Sequence, residues 1–194
     1  MLFRSFAAAA GQTTAIVGGT GAGKSTLVGL IPRLFDPKHG RVLLDGVDIR
    51  SLSLTELRGL VGLVPQKALL FAGTIADNIR YGREAASDEE VRHAARVAQA
   101  EDFVLAMPDG YQSAVAQGGT NLSGGQKQRL SIARAVVRRP AVYVFDDSFS
   151  ALDVATDVRV RAALRDETRE ATVIVVAQRI TTAMAADQIG RAHV

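Results

Sequence analysis

The chain has no cysteine, which excludes disulfides, thiolate catalysis and cysteine-ligated zinc. That count fits a reducing compartment without establishing one. No apolar run exceeds five residues, whereas a helix crossing a bilayer needs about 20, so no membrane span is expected. Residues 1–10 hold a single charge, Arg4, and a brief apolar stretch, too little for a signal peptide. Aromatic residues make up 5% and the basic residues are scattered. The net charge of +3 therefore reads as a solvated Arg-rich surface, not as a nucleic-acid patch. Internal repeats are absent, and low complexity is confined to residues 7–10. What remains is 194 residues, 47% hydrophobic and 22% charged. That is the balance of one globular domain, or of one domain with a small inserted lobe.

Short β-branched runs recur at residues 13–17, 41–45, 61–64, 141–145 and 172–176. Each is apolar on nearly every residue and does not alternate, as expected of strands buried on both faces. Helical stretches at residues 24–30 and 154–169 separate several of them. The alternation predicts an α/β fold with a doubly wound, largely parallel sheet flanked by helices. The middle differs. Ser87-Asp88-Glu89-Glu90 has the form of a capping box, and Val91, Ala94, Ala95, Val97 and Ala98 follow at helical spacing. Residues 74–137 are read as a helical lobe without strands, inserted between two core strands.

Gly18-Gly19-Thr20-Gly21-Ala22-Gly23-Lys24-Ser25-Thr26 fits the phosphate-loop pattern G-x-x-x-x-G-K-[ST], with a predicted strand before it and a helix after it. Glycines let the backbone fold around phosphates and aim N–H groups at them. The helix N-terminus adds a favourable dipole. Lys24 is placed to pair with β- and γ-phosphates, and the Ser25 hydroxyl to ligate Mg²⁺, which prefers oxygen. Val142-Tyr143-Val144-Phe145-Asp146 is an apolar strand ending in a carboxylate, as in sites where an Asp at a strand tip holds Mg²⁺.

Leu122-Ser123-Gly124-Gly125-Gln126 resembles the signature of ATP-binding-cassette (ABC) ATPases, the most specific feature of the chain. Ser123 is suited to cap a helix, and the glycine pair permits close approach to a phosphate. Residues 127–135 and the strand ending at Asp146 follow in the family's order. Gln66 resembles the Q-loop glutamine, which contacts Mg²⁺ and the membrane partner, and Ser150-Ala151-Leu152-Asp153 resembles the D-loop. Residues 71–82 look like the exporter version of the segment after the Q-loop. The resemblance covers about residues 11–187. It implies a P-loop NTPase core that binds ATP and Mg²⁺, with Ser25, Gln66 and Asp146 toward the metal. The nucleotide would be held by residues 18–26 of one copy and by Ser123, Gly124, Gly125 and Gln126 of another. It further implies pairing with a second nucleotide-binding domain, a transmembrane domain fused in the full-length protein, and work at the cytoplasmic face of a membrane. No nucleic-acid partner is expected. Relatives that act on DNA carry long coiled-coil or zinc insertions, and this chain has neither heptads nor cysteine.

Two departures bear on the chemistry. The family's general base after Asp146 is Glu, and here it is Asp147. One methylene fewer withdraws the carboxylate by roughly 1.5 Å, and a misplacement near 1 Å costs about 100-fold in rate. The family's switch residue is His, and here it is Gln178. An amide can donate to a γ-phosphate but cannot carry a proton as imidazole does. Neither His39, His93 nor His193 takes that place, and all three read as solvated or incidental. Together the departures resemble one half of a heterodimeric exporter. In such a half the chain's own site, built on Lys24, Gln66, Asp147 and Gln178, is slow, while its signature completes the partner's site. The alternatives are an ATP-binding regulatory module without turnover and a nucleic-acid-linked ABC ATPase. Residues 115–121 also depart from the exporter pattern, with Gln117 where a Glu is usual.

The ends carry expectations of their own. The family's adenine-stacking aromatic belongs further upstream than Phe3 or Phe6, so adenine affinity is expected to fall by about 1–3 kcal/mol. Residues 1–188 are read as the ATP-binding domain, cut short at both ends. Residues 189–194 resemble the translation of a sequencing-library adapter and are expected to be a non-native tail.

Overall fold

The computed structural model describes residues 5–177 and 186–191. In chain order the elements are β1 (Thr13–Val17), α1 (Lys24–Gly29), β2 (Leu43–Leu44), β3 (Val47–Asp48), α2 (Leu54–Leu60), β4 (Val61–Val64), β5 (Gly73–Thr74) and α3 (Ile75–Arg80). They continue with α4 (Asp88–Val97), α5 (Glu101–Leu105), β6 (Ala114–Val115), α6 (Gly124–Arg138), β7 (Val142–Asp146), α7 (Val154–Glu167), β8 (Thr172–Ala177) and β9 (Gln188–Arg191). The chain divides into two compact units. One holds residues 1–63, 140–147 and 170–194, and the other holds 64–139 and 148–169.

The first unit is built on a five-stranded sheet in the order β4-β7-β8-β1-β9. The pairs β7–β8, β8–β1 and β1–β9 are parallel. Strands covered on both faces need apolar residues at consecutive positions. Ala15, Ile16, Val144 and Phe145 are accordingly all buried. A single core joins Ile16, Val144, Ile174 and Val176 of the sheet to Val28 of α1 and Leu57 of α2. Each such side chain contributes about 1.5–3 kcal/mol by leaving water. The register sets Val17 opposite Ala177 and Asp146 opposite Val176. The carboxyl ends of β1, β7 and β8 thus finish level, the edge where open α/β sheets place their ligand loops.

The run at residues 41–45 is not a sheet strand. Only Leu43 and Leu44 are extended, paired antiparallel with β3 in a separate ribbon, and Leu43 is exposed. Asp45 and Gly46 both take positive φ, 48° and 81°, so the chain reverses before a buried strand can form. The edge strand β9 was not anticipated. It spans Ile189, Gly190 and Arg191 as well as Gln188, and it pairs with β1 through backbone groups.

The second unit is mainly helical. Its α3, α4 and α6 begin with Thr74/Asp77, Ser87/Glu90 and Ser123/Gln126 capping boxes. Each cap satisfies otherwise orphaned N–H groups and is worth about 1 kcal/mol. The periodic residues Val91, Ala94 and Ala95 of α4 are buried, with Leu130, Ile132 and Ala133 of α6. The lobe is not free of strands: β5 and β6 form a two-residue antiparallel pair. Residues 148–169, with α7, also belong to this unit, a long-range grouping that the local pattern does not signal. His93 is not merely solvated, since its Nε2 lies 2.7 Å from Glu167 Oε2. His39 is exposed, and His193 lies outside the described residues.

Candidate nucleotide site

Gly18 to Gly23 link β1 to α1, and two of the glycines need positive φ, Gly21 at 81° and Gly23 at 73°. A side chain there would strain the backbone. A Cβ added at Gly19 or Gly21 would meet nothing within 4 Å, so the loop presents bare backbone to open space. Lys24 is buried and its Nζ donates to the carbonyls of Gly18 and Gly19, at 2.7 Å each. The ammonium is thereby held against the start of the loop. Thr20, Ala22 and Thr26 complete the turn and the first helical residues.

Ser25 Oγ donates to Asp146 Oδ1 at 3.0 Å. These two hard oxygen donors come from residues 121 positions apart. Among the described residues no cluster of three or more His, Asp or Glu could hold a metal. One hydroxyl and one carboxylate suit Mg²⁺, which is commonly held by one or two protein oxygens together with substrate phosphates. The donor set therefore fits a magnesium–nucleotide complex.

Asp147 follows at once, buried and with φ at 48°. Aspartate is one of the few non-glycine residues that enter this left-handed region readily. Gln178 comes directly after β8 and lies outside the described residues, as does Phe3. Phe6 is described and exposed.

Gln66 and the signature belong to the second unit. Gln66 is exposed, two residues beyond the end of β4. Ser123 caps α6: its Oγ accepts from Gln126 N, and Gln126 Oε1 accepts from Ser123 N at 2.9 Å. A Cβ on Gly124 would meet nothing within 4 Å, while one on Gly125 would come 3.3 Å from the Ala151 carbonyl. Gly124 leaves the helix start open, and Gly125 lets the residues before α7 approach. Asp153 caps α7 by accepting from Thr156 N at 2.9 Å. That bond holds its carboxyl below the usual carboxylate range.

Three residues of this unit carried no assigned role in the sequence. Arg134 donates to the carbonyls of Leu69 and Asn78 at 2.9 Å, and its guanidinium lies 5.3 Å from the Phe71 and Tyr81 rings. Gln128 and Ser148, both buried, hold backbone carbonyls near Gln66. Their signal was a polar side chain at an apolar position, which the motifs around them concealed.

A parallel sheet with a glycine loop, a lysine bonded to that loop, a serine and a strand-tip aspartate defines a P-loop nucleotide-binding protein. The chain belongs to the ABC transporter family, whose family model matches residues 4–150, and it is a nucleotide-binding domain of the exporter type. It is 57% identical over 188 residues to an uncharacterised ABC transporter ATP-binding protein of Mycobacterium tuberculosis, covering 95% of this chain and 32% of that protein. It is 45% identical over 183 residues to the ATP-dependent lipid A-core flippase of Chromobacterium violaceum, covering 94% of this chain and 31% of that one. Among solved structures it matches a bacterial Atm1-family ABC exporter with ATP bound. The TM-score is 0.93 at 43% identity, covering 96% of this chain and 33% of that one. The chain thus spans about a third of the length of these relatives. Among the described residues, no helix is long and apolar enough to cross a membrane.

Proposed function

We propose that this chain is the ATP-binding and ATP-hydrolysing module that powers export by an ABC transporter, working with a second nucleotide-binding domain and a transmembrane domain at the cytoplasmic membrane face. The observation that carries the reading is the Lys24, Ser25 and Asp146 constellation at the carboxyl edge of the sheet. Lys24 and the loop amides bind the phosphates, Ser25 and Asp146 hold Mg²⁺, and Gln66 takes the role of the family's Q-loop glutamine. Bound magnesium would offset the phosphate charge. By sequence resemblance Asp147 takes the place of the water-activating carboxylate and Gln178 that of the switch residue.

The chain's own site is slow. Asp147 is shorter than Glu, and Gln178 cannot take up a proton. Its Ser123, Gly124, Gly125 and Gln126 complete the partner's faster site, so the working pair is a heterodimer. Likeness to an exporter with ATP bound and to an ATP-dependent flippase supports the export reading. Binding of a fluorescent ATP analogue to the chain tests the first part: wild type binds with Mg²⁺ present, and Lys24→Ala loses at least about 100-fold in affinity, the scale of a lost charged contact. Equal binding by both would remove the phosphate-loop assignment.

A further inference from the structure

Gln66 is exposed and lies outside regular secondary structure, yet the two carbonyls before it are both held by buried side chains. Ser148 Oγ donates to Val64 O at 2.7 Å, and Gln128 Nε2 donates to Pro65 O at 3.2 Å. Ser148 is 0% exposed and Gln128 2%. Buried polar groups of this kind persist when they are bonded and are costly when they are not. Ser148 is the residue after Asp147. Gln128 stands on α6, five positions after the Ser123 that caps it.

A peptide group is planar from one Cα to the next. Fixing Pro65 O therefore also fixes the N–H and Cα of Gln66. Fixing Val64 O fixes the plane before it. Between the two planes lies Pro65, whose ring locks its φ and keeps Val64 extended. Little torsional freedom is left between β4 and Gln66. The same helix α6 holds the far end of this segment, where Arg134 bonds the carbonyls of Leu69 and Asn78.

We propose that Gln128 and Ser148 are positioning residues for Gln66, a role that rests on reading Gln66 as the glutamine that contacts nucleotide-bound Mg²⁺. They tie its location to the signature helix on one side and to the residue after Asp147 on the other. Displacement of α6 at its capped end is then passed to Gln66 through one side-chain hydrogen bond.

The test exploits the absence of cysteine. Lys67→Cys in the full chain gives a unique site for a nitroxide label beside Gln66. Gln128→Leu and Ser148→Ala should each narrow the label's spectrum, while Ser148→Thr, which keeps the hydroxyl, should leave it broad. In the unlabelled variants, half-saturating Mg²⁺ for binding of a fluorescent ATP analogue should rise roughly fivefold, the counterpart of one lost hydrogen bond. Affinity without Mg²⁺ should stay unchanged. Gln66→Ala should produce the same rise, with no further rise when combined with Gln128→Leu. Unaltered spectra in both Gln128→Leu and Ser148→Ala would overturn the clamp. Altered spectra with a Mg²⁺ response insensitive to Gln66→Ala would keep the clamp and discard the metal role of Gln66. Should Ser148→Thr fail to fold, Gln128→Leu decides alone.

Discussion

Ser25 Oγ and Asp146 Oδ1 stand 3.0 Å apart, joining the first turn of α1 to the tip of β7. If both donate to Mg²⁺, removing either should weaken binding mainly when the metal is present. Ser25→Ala and Asp146→Asn should each cost roughly tenfold or more in affinity for the magnesium complex of ATP, the range for hydrogen bonds to charged groups. Metal-free ATP should bind nearly as before. Titration calorimetry with and without Mg²⁺ reads the difference, and equal losses in both conditions would contradict the assignment.

Gly82 tests the packing of the helical unit. A Cβ there would lie 2.0 Å from the Arg134 carbonyl, which belongs to α6 and cannot swing aside. Gly82→Ala should destabilise by about 1–3 kcal/mol, the usual cost of overpacking. The urea midpoint by circular dichroism measures it. Gly59→Ala, inside α2 where a Cβ meets nothing within 4 Å, is the control and should not lower the midpoint, since Ala favours a helix over Gly by about 0.5–1 kcal/mol.

Acid and alkali should loosen the fold for separate reasons. The Ser87 backbone N–H and the Arg83 guanidinium hold the Glu90 carboxyl down to about 2. A depressed carboxylate stabilises the fold above its ordinary value near 4.5. That contribution is lost as pH falls from there through about 2. Burial, with Glu101 nearby, pushes the Tyr111 phenol up to about 12. Its contribution is complete below pH 10 and lost as pH rises from 10 to about 12. Unfolding midpoints measured against pH should show both limbs. Glu90→Gln should flatten part of the acid limb and Tyr111→Phe part of the alkaline one.

Much of the site was legible because its information is local. The phosphate loop needs glycines, a lysine and a hydroxyl within nine consecutive residues, and the strand and helix around it declare themselves by pattern. The capping box at Ser87 and the helix cap at Ser123 are legible for the same reason. What escaped depends on distant partners. Ser148 meets Val64 across 84 positions and Gln128 meets Pro65 across 63, and no pattern in either segment announces the other. The pairing of His93 with Glu167 was hidden because the two are 74 positions apart. The run at residues 41–45 failed for a different reason. Its composition suits a strand, but the positive φ of Asp45 and Gly46 turns the chain after two extended residues.

The Asp147 backbone bears on any attempt to raise activity. With φ at 48°, the position favours a short side chain that tolerates the left-handed region. A longer Glu must meet that conformation as well as supply the carboxylate. Asp147→Glu alone should therefore raise turnover at this site only partly. Asp147→Glu combined with Gln178→His should raise it further, as measured by phosphate release from the assembled transporter with the partner's phosphate-loop lysine replaced.

On the proposed function, this chain binds ATP at its own phosphate loop and turns it over slowly, while its signature serves a partner. The direct measurement is single-turnover hydrolysis in the full-length transporter pair, with the partner's phosphate-loop lysine replaced so that only this chain's loop is filled. ATP should be retained at Lys24, with phosphate release at least about 100-fold slower than in the reciprocal arrangement, the scale of a carboxylate displaced by about 1 Å. Equal rates in the two arrangements would contradict it.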